Sequence, residues 1–239
     1  INANTNLEQW AVIPPGANPN VGYQSDTSHA TGDEVPGEIG GTFNDAQPLF
    51  YADTEILGLS IKNKLVARGR LDHTSWTTTD FSAPLFFGHF NVDNSVPGAI
   101  TAGISLENDV SGPIPKLGWR ARLGDSFGDV LHPLEKNVGV DWTYTYEPAG
   151  GLLGFGELTV NINGQIDTVE IPSAAVFNEL EPVSFNSFGF WQDENEIPGD
   201  GNEVGVYVDD VYYTGTQLLT GSSPGSNLFR EQGQVNIVS

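Results

Sequence analysis

Short strand-like segments recur through most of the chain. They alternate apolar and polar residues or are rich in Val, Trp, Thr and Tyr, which predicts β-strands. The clearest case is a hairpin at residues 158–171, because Asn163-Gly164 supplies the two positive φ angles of a type I′ turn. The predicted strands cover residues 38–43, 64–73, 85–91, 99–106, 117–123, 138–146, 158–162, 165–171, 183–191 and 204–213.

A single segment, residues 173–180, favours a short helix, because Pro172 lies near its start and Pro182 follows its end. Strands that do not alternate with helices predict an all-β fold, a two-sheet antiparallel β-sandwich. Breakers such as Pro14-Pro15 predict that residues 1–35 are a loop-rich segment packing on the sandwich. The sandwich is expected over residues 36–215, and residues 216–239 are expected to be a polar tail or linker.

The charge balance excludes several classes of partner. With 31 Asp and Glu against 9 Lys and Arg, the net charge is -22, which disfavours binding to nucleic acid or to an anionic membrane surface. No apolar run is long enough to span a membrane, and the absence of cysteine excludes disulfides. Such acidity suits a secreted or cell-surface protein, and we expect any export signal to have been removed or to lie outside this sequence.

Two motifs are the most distinctive, Gly-Glu-Ile-Gly-Gly at 37–41 and Asp-Asp-Val-Tyr-Tyr at 209–213. Five further segments have distinctive sequences, at residues 28–30, 50–53, 86–91, 142–151 and 188–190. Together they resemble a family of exported bacterial proteins, common among planctomycete-type sequences, with a concanavalin A-like jelly roll; the family would have Trp in place of His89. The resemblance implies this fold and a carbohydrate-related role, and it carries over no catalytic residue.

Four of the 5 arginines form two i, i+2 pairs, Arg68/Arg70 and Arg120/Arg122. Residues two apart on a strand share a face, so each pair presents two guanidinium groups together. If both strands lie in one sheet, the pairs could form a cationic groove for an anionic glycan, such as a uronate or a sulfated polymer. The alternative is that these arginines form salt bridges with the surplus Asp and Glu.

A second candidate ligand-binding row is Phe87, His89 and Asn91, which alternation places on one face of a strand. An aromatic ring, an imidazole and an amide suit a sugar-binding face, although a structural histidine is the alternative. As catalytic candidates we consider His89 and Tyr144, and a base with its orienting carboxylate at His29 and Glu38.

The carboxylates show no diagnostic catalytic pattern. Glu107-Asn108-Asp109 begins the Glu-x-Asp motif of retaining glucanases, but no closing Glu follows. Binding is therefore favoured over catalysis. A polysaccharide lyase or glycosidase with an unfamiliar site, and a structural surface or matrix protein, remain alternatives, and the oligomeric state stays open.

Calcium is the predicted ion, with a structural role. Residues 193–203 combine acidic side chains with glycines and include Asp200 and Asn202 as candidate ligands, although the alternative is a solvated acidic turn. A second candidate pairs Asp209 with Glu38, and it follows from the resemblance to jelly-roll carbohydrate modules.

Overall fold

The computed structural model describes residues 10–13, 20–30, 37–44, 49–54, 56, 58–76, 85–91, 100–109, 116–192, 203–215 and 234–236. Strands dominate these ranges, with one short helix, α1 (Ala174–Leu180). None of the helical structure in these ranges is long and apolar enough to cross a membrane.

The strands are numbered in chain order. They are β1 (Trp10–Ile13), β2 (Val21–Gln24), β3 (Glu38–Asn44), β4 (Leu49–Asp53), β5 (Leu59–Ser60), β6 (Leu65–Trp76), β7 (Leu85–Phe90), β8 (Thr101–Asp109), β9 (Lys116–Leu123), β10 (Ser126–Phe127), β11 (His132–Pro133), β12 (Val140–Glu147), β13 (Glu157–Ile162), β14 (Gln165–Glu170), β15 (Ser184–Phe185), β16 (Ser187–Gln192), β17 (Glu203–Thr214) and β18 (Gln234–Asn236).

Two large sheets are formed. Sheet A has the order β1-β4-β16-β7-β8-β9-β10, with β11 also paired to β9. Sheet B has the order β14-β13-β12-β6-β17-β3-β2, with β18 paired to β17, and β15 and β5 form a separate small pair. The pairings within both large sheets are antiparallel, for example β7 with β8 and β6 with β12. The predicted two-sheet antiparallel sandwich is confirmed.

The core lies between the sheets because each central strand points alternate side chains inward. Trp119 and Ala121 of β9 are buried in the core, whereas Arg120 between them lies on the outer face. Rings meet across the gap: Phe87 of sheet A packs edge-on against Trp142 of sheet B, with centroids 5.3 Å apart. The alternating pattern thus sets which residues each sheet leaves on its outer face.

A turn and a helix start form where local sequence signals predict them. Asn163 and Gly164 have φ angles of 50° and 82°, as the predicted hairpin turn between β13 and β14 requires. At the predicted helix, the Ser173 hydroxyl accepts a hydrogen bond from the Val176 amide at 3.3 Å, which makes it the N-cap of α1.

Some strands were missing from the sequence prediction. Within residues 1–35, β1 pairs with β4 and β2 pairs with β3, so this segment contributes a strand to one edge of each large sheet. Within residues 216–239, β18 pairs with β17. These strands have only three or four residues, too few for a recognisable alternation, and they form by pairing with a longer neighbour.

One buried carboxylate links the two sheets by a hydrogen bond, at the side of the sandwich where β14 ends sheet B and β10 ends sheet A. Asp167 of β14 is buried, and its Oδ2 accepts a hydrogen bond from the Ala121 amide of β9 at 2.8 Å. The Ala121 amide lies on the side of β9 where β10 and β11 leave a gap between them. Asp167 therefore supplies the acceptor that a continuous neighbouring strand would otherwise provide.

We expect Asp167→Ala to lower the free energy of unfolding by about 1–3 kcal/mol, because the buried Ala121 amide loses its acceptor. Urea unfolding monitored by circular dichroism measures this change. The control is Asp129→Ala, which removes an exposed carboxylate near the same edge and should leave stability within about 0.5 kcal/mol. Equal losses in the two variants would contradict the role given to Asp167.

Candidate functional site

The outer face of sheet A, which points away from sheet B, carries an unusual group of rings. Phe50, Phe86, Phe90 and Trp191 form a cluster with Ala52 that is separate from the main core; we call it the outer aromatic cluster. Trp191 stacks on Phe90 at 6.0 Å and on Phe50 at 6.2 Å. Phe86 and Phe90 are fully buried, whereas Phe50 and Trp191 are half-buried. The cluster thus has a base of two buried rings, Phe86 and Phe90, and two partly accessible rings, Phe50 and Trp191.

Glycines on three neighbouring strands make room for the base of this cluster. Gly189, Gly88 and Gly103 are direct partners across β16, β7 and β8. A Cβ atom on Gly88 or Gly103 would approach Cζ of Phe86 to 2.9 or 3.0 Å. The glycines therefore allow the Phe86 ring to lie close over the sheet, where side chains at these positions would displace it.

The pair Arg120/Arg122 extends the outer aromatic cluster along sheet A. The Arg122 guanidinium lies 5.4 Å from the ring of Trp191 and 5.2 Å from that of Phe127, distances typical of cation–π contacts. Its Nε donates a hydrogen bond to the Gly124 carbonyl at 3.2 Å. Arg122 is only 7% exposed, so its guanidinium is held in place by the surrounding rings and backbone.

Arg120 is ion-paired. Its Nε and one terminal nitrogen donate hydrogen bonds to the two carboxylate oxygens of Glu107 at 2.8 and 2.7 Å, and its guanidinium lies over Phe127 at 4.2 Å. Ser105 donates a further hydrogen bond to Glu107 at 2.7 Å. For Arg120, the salt bridge expected as the alternative is therefore present.

The prediction that the two arginine pairs form one groove is wrong. Arg68 and Arg70 lie on β6 in sheet B, whereas Arg120 and Arg122 lie on β9 in sheet A, so the pairs are on opposite sides of the sandwich. Arg68 stacks over Tyr212 at 4.8 Å, and Arg70 approaches Asp141 to 3.5 Å. The sequence showed that each pair shares a face, but it did not show which sheet each strand joins.

The expected sugar-binding row Phe87, His89 and Asn91 does not form an exposed face. Phe87 and His89 are fully buried between the sheets, and Asn91 donates a hydrogen bond to the Ser184 carbonyl at 2.5 Å. The predicted alternation was correct, but it is the other row of β7, which includes Phe86, that faces outward. Both rows are aromatic, so composition could not distinguish the two faces.

His89 and Tyr144 form a buried polar pair. Nε2 of His89 donates to the Thr214 carbonyl at 2.6 Å, so in the neutral imidazole Nδ1 accepts from the Tyr144 hydroxyl at 2.5 Å. Burial lowers the pKa of His89 from 6.5 to about 4, although the Thr214 carbonyl opposes this, and burial raises the pKa of Tyr144. Fully enclosed between the sheets, this pair cannot reach a polysaccharide.

The His29 and Glu38 candidates do meet, but not as a base and its orienting group. The Glu38 carboxylate accepts hydrogen bonds from the backbone amides of His29 and Ala30, each at 2.8 Å. The imidazole of His29 instead packs against the ring of Tyr207, with centroids 4.5 Å apart. Glu38 is buried, and its role is structural, because its carboxylate holds the backbone of this loop in place.

The calcium candidates lie partly within the described residues. In these ranges no three His, Cys, Asp or Glu side chains are arranged to hold a metal ion. Both oxygens of Glu38 already accept amide hydrogen bonds, and Asp209 accepts one from the Asp210 amide at 2.7 Å. Asp200 and Asn202 lie outside the described residues, so calcium stays a prediction, which a rise in melting temperature on adding calcium would support.

Solved structures of other proteins are similar to this chain, and two of them illustrate the likeness. The cellulose induced protein Cip1 matches with a TM-score of 0.51 and 13% identity over 90% of this chain and 95% of that chain. The alginate lyase Aly36B matches with a TM-score of 0.50 and 11% identity over 77% of this chain and 83% of that chain. At such identities the likeness shows the fold, and the predicted jelly-roll β-sandwich is confirmed. No family model and no curated protein matches the chain.

We expect His89 to make stability depend on pH between 6.5 and about 4, because the unfolded chain binds a proton there that the folded protein does not. The free energy of unfolding should fall by about 3 kcal/mol as pH drops through this window. His89→Phe should reduce this slope, whereas Tyr144→Phe, which retains the buried imidazole, should keep it. Urea unfolding at several pH values measures the slope, and an unchanged slope in His89→Phe would contradict the assignment.

Proposed function

We propose that the domain binds an extracellular polysaccharide on the outer face of sheet A. The observation that carries the proposal is the placement of Trp191 and Phe50, two half-buried rings on a fixed aromatic base, beside the guanidinium of Arg122. The chain is similar in fold to Cip1, which is described as cellulose induced, and to an alginate lyase. Both descriptions refer to a polysaccharide, which is consistent with a carbohydrate-related role.

Partly exposed rings suit a sugar ligand because the C–H faces of a pyranose ring pack on aromatic faces. Trp191 and Phe50 are nearly parallel, at an interplanar angle of 28°. The buried rings of Phe86 and Phe90 hold them in position, so little side-chain entropy is lost when a ligand packs against them. This preorganisation distinguishes the face from a surface where single apolar residues are scattered.

The charged groups on the same face favour an anionic glycan. Arg122 contacts Trp191, and Arg120 is held by Glu107 with its guanidinium over Phe127. Guanidinium groups bind carboxylate and sulfate in a directional manner. Because Glu107 neutralises one of the two arginines, this group keeps one net positive charge in a chain of net charge -22, and that local charge attracts a uronate or sulfated polymer.

The composition of this face favours binding over cleavage. Among the described side chains that point outward from β4, β7, β8, β9 and β16, none is a histidine or tyrosine, and the sole carboxylate is that of Glu107. Both oxygens of Glu107 are bound by Arg120. A lyase needs a base that can reach the sugar, and the buried pair of His89 and Tyr144 cannot serve.

We expect Trp191→Ala to weaken polysaccharide binding by about tenfold or more, through loss of the stacking ring. Arg122→Gln should weaken binding to alginate or pectate, both uronate polymers, but not to a neutral β-glucan. Affinity electrophoresis against each soluble polymer measures both effects. The matched controls are Tyr212→Ala and Arg68→Gln, which remove a ring and a guanidinium from the outer face of sheet B.

Each alternative function gives a distinct result in these experiments. A lyase would release unsaturated products that absorb in the ultraviolet from alginate or pectate, and we expect none. A structural matrix protein would bind none of the polymers. The proposal would be overturned by the absence of binding to every polymer, or by equal effects of the sheet A and sheet B substitutions.

A further inference from the structure

A cavity of about 520 Å³ lies at one end of the sandwich, away from the outer aromatic cluster. It is bounded by the start of β9, by residues 133–140 and by the turn between β13 and β14. Its apolar wall includes Leu117, Trp119, Val140 and Ile162, all buried members of the core. The volume is within the range of small-molecule sites.

The charge of this cavity is opposite to that of the whole protein. The chain has four lysines, and two of them, Lys116 and Lys136, line the cavity together with the single acidic residue Glu135. The other two, Lys62 and Lys64, lie elsewhere and are ion-paired with Glu181 and Glu147. In a protein of net charge -22, the lysine pair makes the cavity attractive to a small anion.

His73 lies in the wall of the cavity without adding a charge to it. It is buried, and burial and the nearby Lys136 lower its pKa to about 4, so the imidazole is neutral at neutral pH. The charge of the lining therefore comes from the two lysines and Glu135.

We propose that this cavity binds a small ring-bearing carboxylate of about the size of one sugar, such as a uronic acid. The two lysines attract the carboxylate, and the apolar wall packs against the ring. This site is separate from the outer face of sheet A and does not depend on the proposed polysaccharide binding.

The test compares glucuronate with glucose by isothermal titration calorimetry at low ionic strength. The two compounds share a ring and differ in the carboxylate, so glucuronate should bind at least about tenfold more tightly. The double variant Lys116→Gln/Lys136→Gln should weaken glucuronate binding by about tenfold. The control Lys62→Gln/Lys64→Gln removes the same charge from the other two lysines and should leave binding unchanged.

A second variant tests occupancy of the cavity without changing charge. Val138→Trp places a large ring at an exposed lining position and should abolish glucuronate binding while the melting temperature is retained. Trp191→Ala should bind glucuronate as the parent does, which separates this proposal from polysaccharide binding. Equal affinity for glucose and glucuronate, no saturable binding, or equal weakening by the two double-lysine variants would overturn the proposal.

Discussion

The two large sheets pack their apolar faces against each other, and this packing decides which side chains each sheet presents to solvent. Rings from the two sheets are in direct contact, most closely where Phe188 stacks on Tyr213 at 4.0 Å. The Tyr213 hydroxyl donates to Asp53 at 2.6 Å, so a polar group is satisfied across the same gap. Because the inward rows must pack against each other with their few polar groups satisfied, each central strand leaves one defined row of side chains for the outer face, where a ligand can bind.

Much of the fold could be predicted from local patterns. The Asn163-Gly164 turn, the short helix after Ser173 and the alternation of β9 all appear in the structure near their expected positions. The short strands β1, β2 and β18 could not be predicted, since they depend on pairing with longer strands that lie far away in the sequence. Local patterns therefore identify the longer strands, including β14 at the edge of sheet B, but miss short ones such as β4 inside sheet A.

The candidate site was predictable only in part, for a related reason. Arg120 and Arg122 were identified as a pair on one face, and they do lie on the outer face of sheet A. Which sheet each strand joins is a long-range property, so the sequence wrongly combined them with Arg68 and Arg70. Phe50 was missed because no strand was predicted over β4. Trp191 could not be singled out among the tryptophans, because β16 has aromatic residues on both faces and the neighbouring strands decide which face is outward.

The outer aromatic cluster and the end cavity differ in their chemistry. The first offers stacking rings beside two guanidinium groups, and the second offers an apolar wall with two lysines. Binding at the outer aromatic cluster can be followed by NMR, through the indole N–H signals of the five tryptophans in a titration with a uronate oligosaccharide. We expect a saturable shift of the Trp191 signal, with those of the buried Trp142 and Trp10 unchanged. A Trp191 signal that stays fixed while the oligosaccharide binds would contradict this expectation.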